Sequence, residues 1–132
     1  MSAVLDTHAA IWYLLDAKSL SKTVFSLIDG AAASGQPTYI SAVSLVEVVY
    51  LVERGRIAVD AFERFSAELS QQNPAFTVVP LDSEVAVALR TIPRDAIPDM
   101  PDRIIVATAL HLGLPLVTRD RRIQSAGIKT IW

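Results

Sequence analysis

The chain has 132 residues, the usual size of one compact domain; at 52% hydrophobic and 20% charged it can bury a sizeable core, which excludes a disordered chain. It contains no cysteine, which excludes disulfides and thiolate metal sites and fits a reducing cytoplasm. A formal net charge of −2 excludes a polycationic nucleic-acid binder, and the opening Met-Ser-Ala-Val-Leu-Asp has no secretory pattern.

Strand and helix signals alternate along the chain. Ala3-Val4-Leu5 is a short apolar run ending at Asp6. The pattern predicts a helix over about 8–15 and another over about 21–33, with Ser21 as N-cap. Gly35, Gln36 and Pro37 break the chain before a second strand, Thr38-Tyr39-Ile40. A helix follows over 44–54, closed by Gly55. Its apolar stretch, 43–52, holds Glu47 and is too short to span a bilayer, so no membrane association is expected. Phe62, Phe65 and Leu69 recur at helical spacing over 61–69. Asn73-Pro74 reads as a turn, 76–81 as a third strand, and Asp82 opens a helix to about residue 90. Residues 92–101, carrying Pro93, Pro98 and Pro101, form an irregular loop. A helix over 102–112 ends at Gly113, Leu116-Val117-Thr118 is a fourth strand, and Thr130-Ile131 is a candidate fifth.

Strands separated by helices imply an α/β fold in one domain over 1–132, with a central parallel sheet of four or five strands flanked by helices on both faces. Such a fold puts its site beyond the carboxyl ends of the strands. Asp6, Glu47, Asp102 and Asp120 fall at that edge without an obvious basic partner. Each has an ordinary structural explanation: N-capping for Asp6 and Asp120, dipole complementation for Asp102, and a narrow solvent-facing stripe with Ser44 and Tyr50 for Glu47. Asp99 is a candidate N-cap of the helix that holds Asp102. Jointly, desolvated acids at one edge favour a hard divalent cation with oxygen ligands, Mg²⁺ or Mn²⁺, and hence phosphodiester hydrolysis. His8 and His111 fit no zinc-protease spacing, and no phosphate-binding glycine loop or nucleophile elbow is present.

From Pro101 onward, Arg103, Arg119, Arg121, Arg122 and Lys129 outnumber Asp102 and Asp120. Arg103, Arg119, Arg121 and Arg122 are candidate phosphate contacts for an anionic substrate, although ordinary surface charge explains any one of them at least as well. Trp12, Tyr13, Tyr39 and Tyr50 are candidates for base stacking, with core or interface packing the preferred explanation.

Four blocks resemble the PIN-domain ribonucleases: Leu5-Asp6-Thr7-His8 with Trp12 and Leu14-Leu15, then 41–47, then 99–109, then Thr118-Arg119-Asp120. The compact size and the Asp-Thr-His opening are most similar to VapC-like toxins of bacterial toxin–antitoxin pairs. The resemblance implies a Mg²⁺- or Mn²⁺-dependent endoribonuclease toxin acting on RNA, tRNA included, with a VapB-like antitoxin and a homodimeric assembly. It assigns catalysis and metal binding to Asp6, Glu47, Asp102 and Asp120. Thr118, Ser44 or Ser41, and Asp99 would support them as neighbouring polar groups. Where some relatives carry a further acid or Asn in the fourth block, this chain has Arg121 and Arg122, which leaves open one ion or two. A catalytically silent PIN-like module that binds RNA or protein is the alternative. A doubly wound phosphoacceptor or phosphatase domain also uses clustered Asp, but would want a paired acid where His8 stands.

Overall fold

Short strands, the central ones buried on both faces, make the sheet of this computed structural model, which describes residues 2–70 and 75–132. The strands are β1 (Val4–Leu5), β2 (Thr38–Ser41), β3 (Phe76–Val79), β4 (Leu116–Val117) and β5 (Thr130–Ile131). They pair in parallel in the order β3-β2-β1-β4-β5. Leu5 is in register with Ile40 on one side and Val117 on the other, so β1, β2 and β4 end together. The strand order reverses beside β1, and such a switch point opens a crevice at the carboxyl edge.

The helices are α1 (Thr7–Leu15), α2 (Lys22–Ala33), α3 (Ala42–Glu53), α4 (Ala61–Ser70), α5 (Ser83–Leu89), α6 (Met100–Leu112) and α7 (Arg121–Gln124). A 3₁₀ turn spans Ala17–Ser19. Strand alternation sorts the core into two layers. Leu5, Ile40 and Val117 pack with Ile11, Val24, Ile28 and Phe65 from α1, α2 and α4. Val4 and Leu116 pack with Val85, Ile105 and Ile123 from α5, α6 and α7. Helix α3 bridges the layers, giving Val48 to the first and Val43 to the second.

Side-chain caps fix where the helices begin. Ser21 accepts from the Val24 amide at 3.1 Å, as the sequence predicts, and Asp82 accepts from Val85 at 3.0 Å. Helix α1 starts at Thr7 because Asp6 is its cap. Helix α3 starts at Ala42 because Ser41 caps it, two residues before the expected 44. Helix α6 starts at Met100, not 102, because Asp99 caps it and Pro101 suits the first turn. It ends at Gly113, whose φ of +67° glycine adopts without strain. Strand β3 stops at Val79, two residues short of the expected end. The predicted Asn73-Pro74 turn lies outside the described residues. No helix among the described residues is long and apolar enough to cross a membrane.

Candidate active site

A pocket of about 490 Å³ opens at the carboxyl edge of the sheet. Asp6, Glu47, Asp99, Asp102 and Asp120 line it, together with Thr7, His8, Trp12 and Arg119. The predicted acids therefore meet at one place, although their segments lie up to 114 residues apart.

Two of them come from strand ends. The Asp6 amide donates to Val117 O at 3.0 Å, which locks the β1 exit to β4, and its Oδ1 accepts from Ala9 N at 2.8 Å. Asp120 caps α7, its Oδ1 accepting from Arg122 N at 2.8 Å and Ile123 N at 3.2 Å. Between them lies Thr118, 0% exposed. Its backbone N–H donates to Ile131 O, its carbonyl accepts from Gln124 Nε2 at 3.0 Å, and its hydroxyl accepts from Asp120 N at 3.0 Å. The Thr118 side chain also hydrogen-bonds Asp6. Since the hydroxyl hydrogen is not used toward Asp120 N, it serves the Asp6 carboxylate.

The other two are carried by helices. Glu47 projects from the middle of α3, and Thr7 Oγ1 donates to its Oε1. Thr7 Oγ1 also lies 2.9 Å from Ser44 Oγ. A hydroxyl has one hydrogen, so Ser44 donates to Thr7 and Thr7 to Glu47. Ser44 is 0% exposed, which overturns the solvent-facing stripe as an explanation of Glu47. Asp102 sits in the first turn of α6, and its amide donates to Asp99 Oδ1 at 3.0 Å.

Burial and mutual repulsion raise these carboxyls. Burial pushes Asp6 above its ordinary value, against the hydrogen bonds of Thr118 and Ala9. Burial also raises Glu47, opposed by Thr7 and reinforced by Asp99. Asp102 is pushed up to about 7, first by burial, then by the charges of Asp99, Glu47, Asp120 and Asp6. Among the described residues none of these acids forms an ion pair; the one salt bridge, His111 to Glu84 at 3.2 Å, lies elsewhere.

The all-oxygen donor set suits Mg²⁺ or Mn²⁺ rather than a softer ion. Among the described residues no three His, Asp or Glu side chains are drawn into a common ligand cluster. That spacing is compatible with Mg²⁺, which usually keeps several waters and takes only one or two carboxylates plus substrate phosphates. Self-repelling, desolvated acids gain from any such cation.

Of the arginines, Arg119 lines the pocket. Arg121 and Arg122 are exposed on α7 beside it in sequence but do not line it. Arg103 points elsewhere: its Nη2 donates to Ile92 O at 3.0 Å and Leu89 O at 3.4 Å, and its Nε is buried with no acceptor. It pins the chain after α5, so the expectation of a phosphate contact at Arg103 is corrected. The carbonyls at a helix end attract a guanidinium as phosphate oxygens do. Ser41 is committed to capping α3 through Val43 N at 3.2 Å. The sequence does not single out Thr7 as the partner of Glu47 or His8 as a lining group, whereas Trp12, a candidate for base stacking, does line the pocket. The turn-by-turn spacing of His8 and Trp12 on α1 is the signal that would have grouped the last two.

A family model described as the PIN domain matches residues 3–129. Ribonuclease VapC22 of Mycobacterium tuberculosis is 31% identical over 126 residues, covering 94% of this chain and 91% of that protein. The VapBC2 structure from Rickettsia felis, bound to a DNA fragment from their promoter, is similar in fold with TM-score 0.74 at 13% identity. It covers 99% of this chain and 98% of that one. A toxin–antitoxin complex from Klebsiella pneumoniae gives TM-score 0.66 at 21% identity, over 98% of this chain and 96% of that one.

Proposed function

The chain belongs to the PIN-domain family, and from that premise we propose that it is a metal-dependent endoribonuclease, the toxin of a toxin–antitoxin pair. One observation carries the reading: Asp6, Glu47, Asp102 and Asp120 line a single pocket in a chain 31% identical to a ribonuclease.

One or two of those four carboxylates would bind Mg²⁺ or Mn²⁺ directly and the others through its waters, with Asp99 adding negative charge beside them. A bound ion supplies two things, a lowered pKa for coordinated water and neutralisation of charge on the scissile phosphate. The protein's own groups prepare for this. Thr118 orients Asp6, and the Ser44–Thr7 relay orients Glu47. Asp102, its carboxyl pushed up to about 7, would give up its proton on holding a cation. Arg119 at the pocket takes a phosphate oxygen of the RNA. Arg121 and Arg122 would meet a longer strand beyond the pocket.

The substrate is RNA, with tRNA among the candidates. A VapB-like antitoxin is the proposed partner, supported by the fold shared with a toxin–antitoxin complex. A homodimer is supported by apolar side chains left exposed, Val46 and Tyr50 on α3 and Met100 on α6, which line one groove of about 370 Å³. The test is RNA cleavage under Mg²⁺ or Mn²⁺ titration by wild type and Asp6→Asn. Metal-dependent cleavage lost in the variant supports the proposal; undiminished cleavage by a folded variant ends it.

A further inference from the structure

One side of the acidic pocket is aromatic and cationic. His8 and Trp12 stand one turn apart on α1, their ring centroids 5.6 Å apart. The Trp12 ring meets Trp132 edge-on at 5.8 Å, which braces it from the end of the chain. The Arg119 guanidinium, from the turn after β4, lies over the Trp12 ring at 5.4 Å from its centroid. His8, Trp12 and Arg119 all line the pocket, and His8 and Arg119 are exposed.

Arg119 shares this pocket with several carboxylates, yet among the described residues it makes no ion pair with any of them. Its charge rests on an aromatic face instead, which attracts a cation without neutralising it. The planar N–H fork therefore stays free to bind an anion from outside.

Resting on the nuclease reading above, we propose that His8, Trp12 and Arg119 form the nucleotide-holding wall of the site. Arg119 takes a phosphate of the entering strand, Trp12 acts as its positioning residue, and the exposed His8 ring offers a stacking face to the adjoining base. The base must be unpaired. In a duplex both its faces are covered by neighbours, and stacking on a side chain requires one of them to be free. Specificity for unpaired segments thus comes from α1 and the β4 exit rather than from the acids.

The test uses ribose-methylated, non-cleavable single-stranded and duplex oligonucleotides, with binding read by fluorescence anisotropy over a range of salt in Mg²⁺. Cleavage of the matching unmodified RNA is followed in parallel. Wild type is expected to prefer the single strand about tenfold. His8→Ala loses most of that preference. Arg119→Ala lowers the slope of log affinity against log salt by about one, while Arg119→Lys keeps it. Trp12→Leu raises KM about tenfold with little change in kcat, and Trp12→Phe restores most of the loss. The inference is overturned if wild type cleaves RNA while Arg119→Ala keeps the full salt slope and His8→Ala keeps the single-strand preference. Both variants change exposed side chains, so they carry the test even where Trp12→Leu fails to fold. If wild type neither binds nor cleaves RNA, the nuclease reading falls first and takes this wall with it.

Discussion

The strand side and the helix side of the acidic pocket are built on different terms. Asp6 and Asp120 each satisfy the amides of a helix N-terminus and are joined through one buried hydroxyl, Thr118. They have structural work whether or not a ligand is present. Glu47 and Asp102 cap nothing. Glu47 has the Thr7 hydroxyl for its charge, while no side-chain hydrogen bond lowers Asp102, the carboxyl pushed to about 7. The lesson is that the strand-end acids have a capping role in folding, although burial raises Asp6 as well, whereas the helix-borne acids carry the cost of burial with no cap to offset it and need a functional reason.

Charge removal on either wall should have the largest effect, and on activity alike. Asp6→Asn, Glu47→Gln and Asp102→Asn are each expected to lower RNA cleavage by about 10²–10³-fold, comparable to losing one preorganised electrostatic group. Initial rates at saturating Mg²⁺, with the fold checked by circular dichroism, measure it; a retained rate at Glu47 or Asp102 would erase the distinction drawn above.

Stability should then split the walls. The folded carboxyl of Asp102 is raised from 3.8 to about 7, so between those pH values the folded state holds more protons than the unfolded one. Stability of the metal-free protein therefore falls as pH rises through that window and levels off above about 7. Asp102→Asn removes the penalty and should stabilise the metal-free protein by about 1–2 kcal/mol at pH 8, after allowance for solvent screening, and by nothing near pH 3. Urea denaturation against pH reads both numbers. At Asp120 the sign reverses: Asp120→Ala should lose about 1 kcal/mol of capping while Asp120→Asn loses little, because Asn also caps. The smallest effect is expected at the relay. Thr7→Val keeps the shape but strips Glu47 and Ser44 of their partner, for a loss of about 1 kcal/mol and a further rise of the Glu47 carboxyl, visible by carbon-detected titration.

The capping half of this contrast was legible in the sequence. An Asp after an apolar strand or before a helix announces itself locally, and Asp6, Asp82, Asp99 and Asp120 all cap as their positions suggest. Parallel order and two-sided burial followed from alternating elements, and the family blocks carried the acid assignments. Other features depend on which segments meet in space. The Thr7–Glu47 bond joins residues 40 apart, and Arg103 reaches back 11 residues to Ile92. Trp12 meets Arg119 and Trp132 only because β1, β4 and β5 lie side by side. Hydropathy along the chain carries no trace of such contacts. The expected start of α3 falls two residues late because Ser41 is not read as its cap, and that of α6 falls two residues late although Asp99 is a candidate cap.

The most direct test of the account is calorimetric titration of Mn²⁺ into wild type and Asp102→Asn in two buffers of different ionisation heat at pH 7. The account predicts saturable binding to wild type with proton release, and binding to the variant that is weaker and releases fewer protons. Equal binding and equal proton release in the two proteins, or no binding to wild type, would contradict it.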